Sequence, residues 1–581
     1  MPNASPAAVD TAVHPARTGA AIVWACLRAE GVDTVFGYPG GAVIPLYDAL
    51  EGSGIRHILT RHEQGAAFAA EGYARSTGRC GVAIATSGPG ATNLLTGIAD
   101  AKMDSVPLVC ITGQVRTSLI GTDAFQEIDI FGATLPMVKW GRLVRSIQEL
   151  PDVLRQAFHV AQSGRPGPVL IDIPVDVLKA SAELPVPGQY QPVRTAHDIG
   201  TPAFPAEQLA ALLGSARKPV VLVGAGVKLA GAQLELRRLL DRLDLPACST
   251  VHGLGCISSE APYYLGMCGM HGTRTANTVL HETDLLLVLG ARLDDRVTGD
   301  PTRFAPDARI VHFEVDPSQL ERVRAGALAV MGNLADTLPQ FAAALPKLPR
   351  PECKPWRDAV CAAAREELGS DGGGTALPAI RFLDELFAMM PAEGVVVADV
   401  GQHQMWAAQR YRANNPRGFI TSGGLGAMGF ALPAALGVQL ARPEACVVCI
   451  SGDGGFQMNI QELATIKRFN LPVKILIVDN KFLGMVRQWQ QLFYDRNYAE
   501  TDLSDNPDFV AIGAAYGIES ERLAVDPATA TGLPTRTGSV LRRFLDATTP
   551  QLLVFECPPE ANVFPMVPSG AALSEMLLEE A

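Results

Sequence analysis

Short, continuous apolar runs alternate with amphipathic stretches along most of the chain, and they fall into three blocks. An unbroken run of four to eight apolar residues reads as a strand buried on both faces, and the helically spaced segments between such runs supply the layers that cover it. In the first block, about Gly19 to Leu184, the strand candidates are Thr34–Phe36, Gly81–Ala85, Leu108–Ile111 and Val169–Asp172. The second, about Phe204 to Leu345, contains Pro219–Val223, Asp284–Leu289 and Arg309–Val315. The third, about Gly374 to Pro558, opens on Val395–Asp399 and continues through Ala445–Ile450 and Leu471–Val478, with helical spacing over Met458–Phe469. Proline-rich breaks at Pro185–Pro192 and Pro346–Pro355 separate the blocks. The repeated alternation predicts an α/β chain of three layered domains with mostly parallel sheets. The expected division is a tail over 1–16, a domain over 17–184, a linker over 185–203, a domain over 204–345, a linker over 346–372, a domain over 373–560 and a C-terminal tail over 561–581.

Composition narrows the setting. A chain of 581 residues exceeds what one core supports. With 48% hydrophobic and 19% charged residues it has the makings of a large buried protein. A formal charge of -12 and no basic cluster argue against nucleic acid as a partner. Eleven cysteines show no short disulfide framework, and several sit in apolar runs such as Val109-Cys110-Ile111, which points to a reducing compartment. Cys446 and Cys449 make a CxxC by count, but on a strand they face opposite sides and read as packing. Residues 1–13 carry neither the apolar core of a secretory signal nor an Arg-rich amphipathic pattern. No apolar stretch is long enough to span a bilayer, so no membrane is expected and the cytoplasm is the simplest location.

The most informative chemistry is Ser451-Gly452-Asp453-Gly454-Gly455-Phe456, followed after the next strand by Asp479-Asn480. Asp453 offers a hard carboxylate oxygen and Asn480 a hard amide oxygen, while the glycines let backbone N–H groups approach a phosphate. Both residues are expected at carboxyl ends of buried strands, where ligands of open α/β sheets collect. The pattern reads as a metal holding a diphosphate, against the bland alternative of a glycine turn with a surface aspartate. In the first block Glu63 opens an alanine-rich helix, where it is either a helix-terminal carboxylate or a buried acid/base group. Thr86-Ser87-Gly88-Pro89-Gly90-Ala91-Thr92-Asn93 follows a strand and brings further backbone donors toward a ligand.

From Thr18 to Met576 the chain resembles the thiamine-diphosphate enzymes and, within them, the catalytic subunits of acetohydroxyacid synthase, also called acetolactate synthase. The broad marks are Arg61-His62-Glu63, Asp399-Val400-Gly401-Gln402-His403-Gln404, Gly423-Gly424-Leu425-Gly426-Ala427-Met428-Gly429, and the pairing of Gly452-Asp453-Gly454 with Asn480. The narrower marks are Gly37-Tyr38-Pro39-Gly40-Gly41-Ala42, Gly121-Thr122-Asp123-Ala124-Phe125-Gln126-Glu127, Gly269-Met270-His271-Gly272, Asp294-Asp295-Arg296-Val297-Thr298-Gly299, Met485-Val486-Arg487-Gln488-Trp489-Gln490 and the C-terminal Asn562–Pro568.

That resemblance implies a thiamine-diphosphate-binding fold: a pyrimidine-binding domain first, a central FAD-associated domain, then a diphosphate-binding domain with an active-site tail. It implies thiamine diphosphate, magnesium and FAD as cofactors, and pyruvate and 2-ketobutyrate as substrates. Pyruvate would be decarboxylated and its two-carbon unit joined to a second 2-ketoacid, giving acetolactate or acetohydroxybutyrate for branched-chain amino-acid biosynthesis. Glu63 would meet N1' of the aminopyrimidine held by a partner subunit, with Gly41 and Gln126 near the reacting centre and Met428 supporting the bent cofactor. Gln402, His403, Gly426, Gly452, Gly454 and Gly455 would surround the cofactor's diphosphate end. Asp453, Asn480 and the carbonyl of Phe482 would ligate magnesium. Arg296 would pair with the acceptor's carboxylate, Trp489 would favour 2-ketobutyrate, and Phe125 would line the substrate site. Arg165, Gly224, Gly226, Met270, His271, Gly272, Arg292, Glu314 and Asp316 would serve FAD, which takes part in no net redox step. A homodimer or homotetramer follows from the shared site, with a small regulatory subunit as a possible partner.

Three positions depart from the family's pattern, and the first two bear on the substrate entrance rather than on the cofactor. Arg116 stands where the family commonly has Pro, Val175 where Lys is common, and Leu293 where Phe is usual before the paired aspartates. The shared cofactor chemistry leaves one alternative, a pyruvate oxidase or another flavin-associated carboligase of the same superfamily. A catalytically silent binding subunit is disfavoured because Glu63, Met428, Asp453 and Asn480 are all present.

Overall fold

The computed structural model describes residues 16–184, 202–322, 324, 326–369, 377–529 and 531–579. Most of the expected tail over 1–16 and of the linker over 185–203 lies outside the described residues. The chain divides into two compact units, Met1–Ala74 with Arg79–His197, and Arg75–Gly78 with Asp198–Ala581.

The first unit holds one six-stranded sheet: β1 (Thr34–Gly37), β2 (Arg56–Leu59), β3 (Gly81–Ala85), β4 (Leu108–Gln114), β5 (Trp140–Leu143) and β6 (Pro168–Pro174). Its order is β2-β1-β3-β4-β6-β5, and every pairing is parallel. The inner strands β3, β4 and β6 are buried at every residue, as continuous apolar runs require. The helices Gly19–Ala29 and Leu150–Gln162 cover one face, the second burying Val153, Leu154, Ala157, Phe158 and Ala161 at helical spacing.

The second unit holds two more sheets. The central one comprises β7 (Pro219–Val223), β8 (Ala247–Ser249), β9 (Tyr264–Met267), β10 (Leu285–Leu289), β11 (Arg309–Glu314) and β12 (Leu328–Met331), in the order β9-β8-β7-β10-β11-β12. Counted within the sheet this is 3-2-1-4-5-6, the order of dinucleotide-binding sheets. The last comprises β13 (Val395–Ala398), β14 (Phe419–Thr421), β15 (Val447–Gly452), β16 (Lys474–Asp479), β17 (Glu519–Ala524) and β18 (Gln551–Glu556), in the order β14-β13-β15-β16-β18-β17. Both sheets are parallel throughout. Counted within themselves, the first and last sheets share the order 2-1-3-4-6-5.

Two expectations change. The stretch 346–372, expected as a linker, contains the helix Lys354–Gly369, whose Cys361 and Ala364 are buried in the central core. Trp356, Val360 and Leu368 pack partly buried beside them, and the charged residues take the outer face. The helix expected over Met458–Phe469 instead starts at Asp453, breaks at Asn459 and resumes through Ile460–Glu462 and Leu463–Arg468. The C-terminal residues also pack firmly, with Ala561 and Val563 in the core of the last sheet and Val567 and Leu573 in that of the central one. All eleven cysteines are free.

One polar group lies deep in the first sheet. Asp172, on β6, is 1% exposed and accepts hydrogen bonds from Thr112 Oγ1 at 2.7 Å and Gln114 Nε2 at 2.9 Å on β4. Burial pushes its pKa from 3.8 up to about 7 against those bonds, and Asp129 adds to the push. The folded protein therefore holds a proton there that the unfolded chain has released, so this contribution is complete below about pH 4 and declines as pH rises toward 7. Replacing Asp172 by Asn should flatten the stability profile between those limits, removing a slope of about 1.4 kcal/mol per pH unit. Urea midpoints measured from pH 4.5 to 7.5, with equal slopes for Asp172→Asn and the parent, would contradict this.

Candidate functional site

β15 ends at Gly452 and the helix Asp453–Met458 begins at once, so Asp453 sits at a strand-to-helix junction with 2% of its surface exposed. The turn tolerates no side chain where the glycines stand. A Cβ on Gly452 would lie 2.9 Å from the His403 ring, and one on Gly455 would lie 2.8 Å from Asp399 Oδ2. Asp399, just beyond β13, accepts from Val400 N at 2.8 Å, Gly429 N at 2.9 Å and Ser451 Oγ at 2.8 Å, fixing three loops against one another. Burial raises its pKa to about 6 in spite of those bonds. Gly452 N donates to His403 Nε2 at 3.1 Å, and burial lowers the histidine's pKa to about 4, so the ring is neutral. Met428 lies in the loop after β14, its methyl carbon 3.7 Å from the point where a Cβ of Gly454 would stand.

The register Gly452↔Val478 between β15 and β16 sends Asp453 and Asn480 off neighbouring strands at the same sheet edge. Asp453 Oδ2 accepts from Asn506 Nδ2 at 2.8 Å. Burial and the nearby Asp479 raise its pKa to about 7. Asp479 is answered by Lys481 Nζ at 2.5 Å, whereas the Asn506 amide brings Asp453 no charge. A divalent cation would supply the missing compensation. Asn480 Oδ1 accepts from Phe482 N at 3.1 Å after the left-handed Lys481. No group of three or more His, Cys, Asp or Glu able to hold a metal exists among the described residues, so a cation at Asp453 would draw on amide and carbonyl oxygens as well. Those hard neutral donors suit magnesium.

The helix Gly484–Phe493 follows directly. Arg487 is buried, its guanidinium over the rings of Phe482 and Tyr498 and its Nη1 donating to Pro559 O at 2.9 Å. Trp489 is half-buried, edge-on to Phe493 at 5.6 Å, and is not a core residue. Arg296 keeps a guanidinium that is 56% exposed; it stands 3.9 Å from Asp295 and donates from Nη1 to Met270 Sδ at 3.2 Å. Arg292 forms a closer pair, with Asp294 at 3.2 Å.

In the first unit Glu63 opens the helix Glu63–Thr77 and is 9% exposed, with Asn93 Nδ2 donating to its Oε2 at 3.0 Å. An added Cβ on Gly90 would stand 3.3 Å from its Oε1. Gly41 has open space on its Cβ side. Gln126 adopts a left-handed φ of 61° next to Gly88, and Phe125 is 88% exposed. Arg165 Nε donates to Ser105 Oγ at 2.8 Å.

The central sheet reverses its order between β7 and β10. Gly224 and Gly226 stand after β7, where added Cβ atoms would come within 2.4 and 2.7 Å of the Gly290–Ala291 backbone after β10. These two glycines thus let the two turns touch at the switch point, where ligands of such sheets bind. His271 is buried, with Nδ1 3.1 Å from Pro565 O, and its pKa is lowered to about 4 by burial. Met270 N donates to Arg296 O at 2.8 Å, and Gly272 N to Gly269 O at 2.8 Å. Glu314 Oε1 accepts from Val315 N and Asp316 N, and Asp316 caps the turn Pro317–Gln319. These local bonds give both carboxylates a structural task at the end of β11.

Sequence reasoning placed Asp399 in a motif without a role, although a carboxylate ending the apolar run Val395–Ala398 was a visible signal. Asn93 likewise stood unassigned in its glycine-rich motif. Gln488 and Asn506 left no local signal, because their partners are distant in sequence.

The chain matches three family models: thiamine pyrophosphate enzyme, N-terminal TPP binding domain, over residues 17–133; central domain, over 206–341; and C-terminal TPP binding domain, over 399–554. It is 49% identical over 563 residues to the acetolactate synthase isozyme 2 large subunit of Escherichia coli (strain K12), covering 96% of this chain and 99% of that protein. The isozyme 1 large subunit of the same organism is 43% identical, with 97% and 98% covered. The chloroplastic acetolactate synthase of Arabidopsis thaliana is 42% identical, with 97% and 85% covered. With three thiamine pyrophosphate domains in order and near-complete coverage of such relatives, the chain belongs to the thiamine-diphosphate-dependent acetolactate synthase large-subunit family.

Proposed function

We propose that the chain catalyses the acetolactate synthase reaction, taking pyruvate as donor and pyruvate or 2-ketobutyrate as acceptor in branched-chain amino-acid biosynthesis. The observation that carries this is the buried, uncompensated Asp453 at the edge it shares with Asn480, inside a glycine turn closed by His403 and Asp399. Thiamine diphosphate, when bound, supplies the nucleophilic carbon and the electron sink for decarboxylation.

The residues of the chain hold, orient and exchange protons. Asp453, Asn480 and the Phe482 carbonyl would hold magnesium, while Gln402, His403, Gly426, Gly452, Gly454 and Gly455 flank the diphosphate. Met428 supports the cofactor from the side of Gly454. Glu63, oriented by Asn93, exchanges a proton with N1' of the aminopyrimidine, and Gly41 and Gln126 border the reacting carbon. Arg296 offers a planar fork to the acceptor's carboxylate, which stays on the product. Trp489 presents a partly open ring to the extra methyl of 2-ketobutyrate, and Phe125 borders the substrate.

FAD would lie at the switch point of the central sheet, served by Gly224, Gly226, Met270, His271, Gly272, Arg292, Glu314 and Asp316. Its role is structural. Glu63 serves a cofactor held by a second copy of the chain, so the active form is a homodimer or homotetramer, with a small regulatory subunit as a further partner. The exposed apolar side chains of Phe125, Leu119, Ile128 and Leu135 support such an interface. No helix among the described residues is long and apolar enough to cross a membrane, and we place the reaction in the cytoplasm.

Asp453→Ala should weaken magnesium-dependent binding of thiamine diphosphate by more than the roughly 10–100-fold that loss of an outer-shell partner costs. Calorimetric titration tests this, and unchanged affinity and magnesium dependence reject the site. Glu63→Gln should keep the cofactor bound yet slow hydrogen exchange at its C2 by about 10²–10⁴-fold, the worth of a positioned acid/base group. An unaltered exchange rate removes Glu63 from cofactor activation. Trp489→Leu should shift competition between the two acceptors toward pyruvate by about 1 kcal/mol, the scale of one methylene. Because Trp489 is half-buried, its melting temperature should change little; a large drop with an unchanged product ratio would assign the ring to packing instead.

A further inference from the structure

A chain of buried amides runs from the C-terminal segment to the cation end of the site. Gln488, on the helix Gly484–Phe493, is fully buried, and Gln402 and Asn480 are 4% and 7% exposed. Val563 N donates to Gln488 Oε1 at 2.8 Å, and Gln488 Nε2 donates to Val563 O at 3.0 Å and to Met566 Sδ at 3.4 Å. Gln402 Nε2 donates to Gln488 Oε1 at 3.0 Å and to Ala561 O at 2.8 Å. Asn480 Nδ2 in turn donates to Gln402 Oε1 at 3.2 Å.

The polarity of this chain is fixed from outside it. A backbone N–H only donates and a backbone carbonyl only accepts, so Val563 dictates which end of the Gln488 amide is oxygen. That oxygen, together with Ala561 O, demands the NH₂ end of Gln402. The oxygen of Gln402 must then face Asn480, which answers with its own NH₂ and turns its oxygen the other way, where Phe482 N also meets it. Space for the junction comes from Gly484, where an added Cβ would stand 2.2 Å from Gln402 Oε1 and 2.6 Å from Asn480 Nδ2.

We infer that Gln488 is a positioning residue: it transmits the hydrogen-bond polarity of the segment 561–566 through Gln402 to Asn480, so that Asn480 presents oxygen rather than NH₂ to the cation. The inference rests on the reading of Asn480 as a magnesium ligand. Without Gln488, only Ala561 O still asks for the NH₂ end of Gln402, so the turned-over amide becomes more accessible, and its NH₂ would then oppose that of Asn480. An amide of the wrong polarity is a donor where the metal needs an acceptor.

The test is titration of Mg²⁺ into the full-length protein with thiamine diphosphate present, followed by calorimetry. Gln488→Met, of similar volume but without the amide, should weaken Mg²⁺ affinity about tenfold, as loss of an outer-shell partner does. Gln488→Glu still accepts from Gln402 and Val563, and it should retain most of the affinity. In an Asn480→Asp background the Gln488→Met loss should vanish, because a carboxylate offers oxygen whichever way it is turned. A loss of the same size in that background, or no loss in the parent, overturns the relay. Asn480→Ala separates the two readings: if it leaves Mg²⁺ affinity intact, Asn480 is no ligand and the underlying assignment fails with it. Should Gln488→Met not fold, Gly484→Ala strikes the same junction from its other side and should produce the same loss; intact affinity there overturns the proposal.

Discussion

The bonds to Asp399 hold the glycine turn that carries Asp453 in shape. This carboxylate is 1% exposed and collects the amides of Val400 and Gly429 and the hydroxyl of Ser451. Its partners come from the loops that follow β13 and β14 and from the last residues of β15, so one buried group sets the spacing of three strand ends. Burying it costs stability, as its raised pKa reports, and three directed hydrogen bonds offset that cost. Loss of the carboxylate would leave Gly429 N and Ser451 Oγ without this acceptor and release the turn that carries Asp453.

The shared order of the first and last sheets explains why functional loops recur at matching places. In each, the first and third strands are neighbours, and the order reverses between them. Gly41 follows the first strand of the N-terminal sheet, Glu63 the second and the Thr86–Asn93 turn the third. In the last sheet Gln402 and His403 follow the first strand, Met428 the second and Asp453 the third. Parallel strands place these six segments at carboxyl ends, where open α/β sheets bind ligands. By address, Glu63 corresponds to Met428 and the Thr86–Asn93 turn to Asp453, in two copies of one topology.

What the sequence made legible follows from burial. β3, β4, β7, β10 and β16 lie inside their sheets and carry apolar runs, with polar residues only at the ends of β4 and β16. Edge strands mix polar and apolar positions because one side meets solvent: Arg56–Leu59, Trp140–Leu143 and Glu519–Ala524 carry no run to detect. Ala247–Ser249 is too short to stand out from its surroundings. At the candidate site, Asp453 and Asn480 stood out because glycines and the ends of apolar runs mark them, and Glu63 because it opens an alanine-rich helix. Gln488 was not, since an amide on an amphipathic helix has no distinctive neighbour until the chain folds 75 residues of separation onto Val563.

The choice of an amide at position 480 has an electrostatic reason. Asp453 already shares its surroundings with Asp479, and together with burial that neighbour lifts its pKa to about 7. A second carboxylate ligand would add like charge to a buried pair and make full ionisation harder still. As the proposed ligand, Asn480 would supply an oxygen without adding charge, but an amide has a wrong way round, which a carboxylate does not. The glutamines behind it answer that ambiguity with backbone groups whose polarity cannot change. The site thereby limits its buried charge by depending on hydrogen-bond direction, and that direction is set in a C-terminal segment that contributes no proposed ligand of its own.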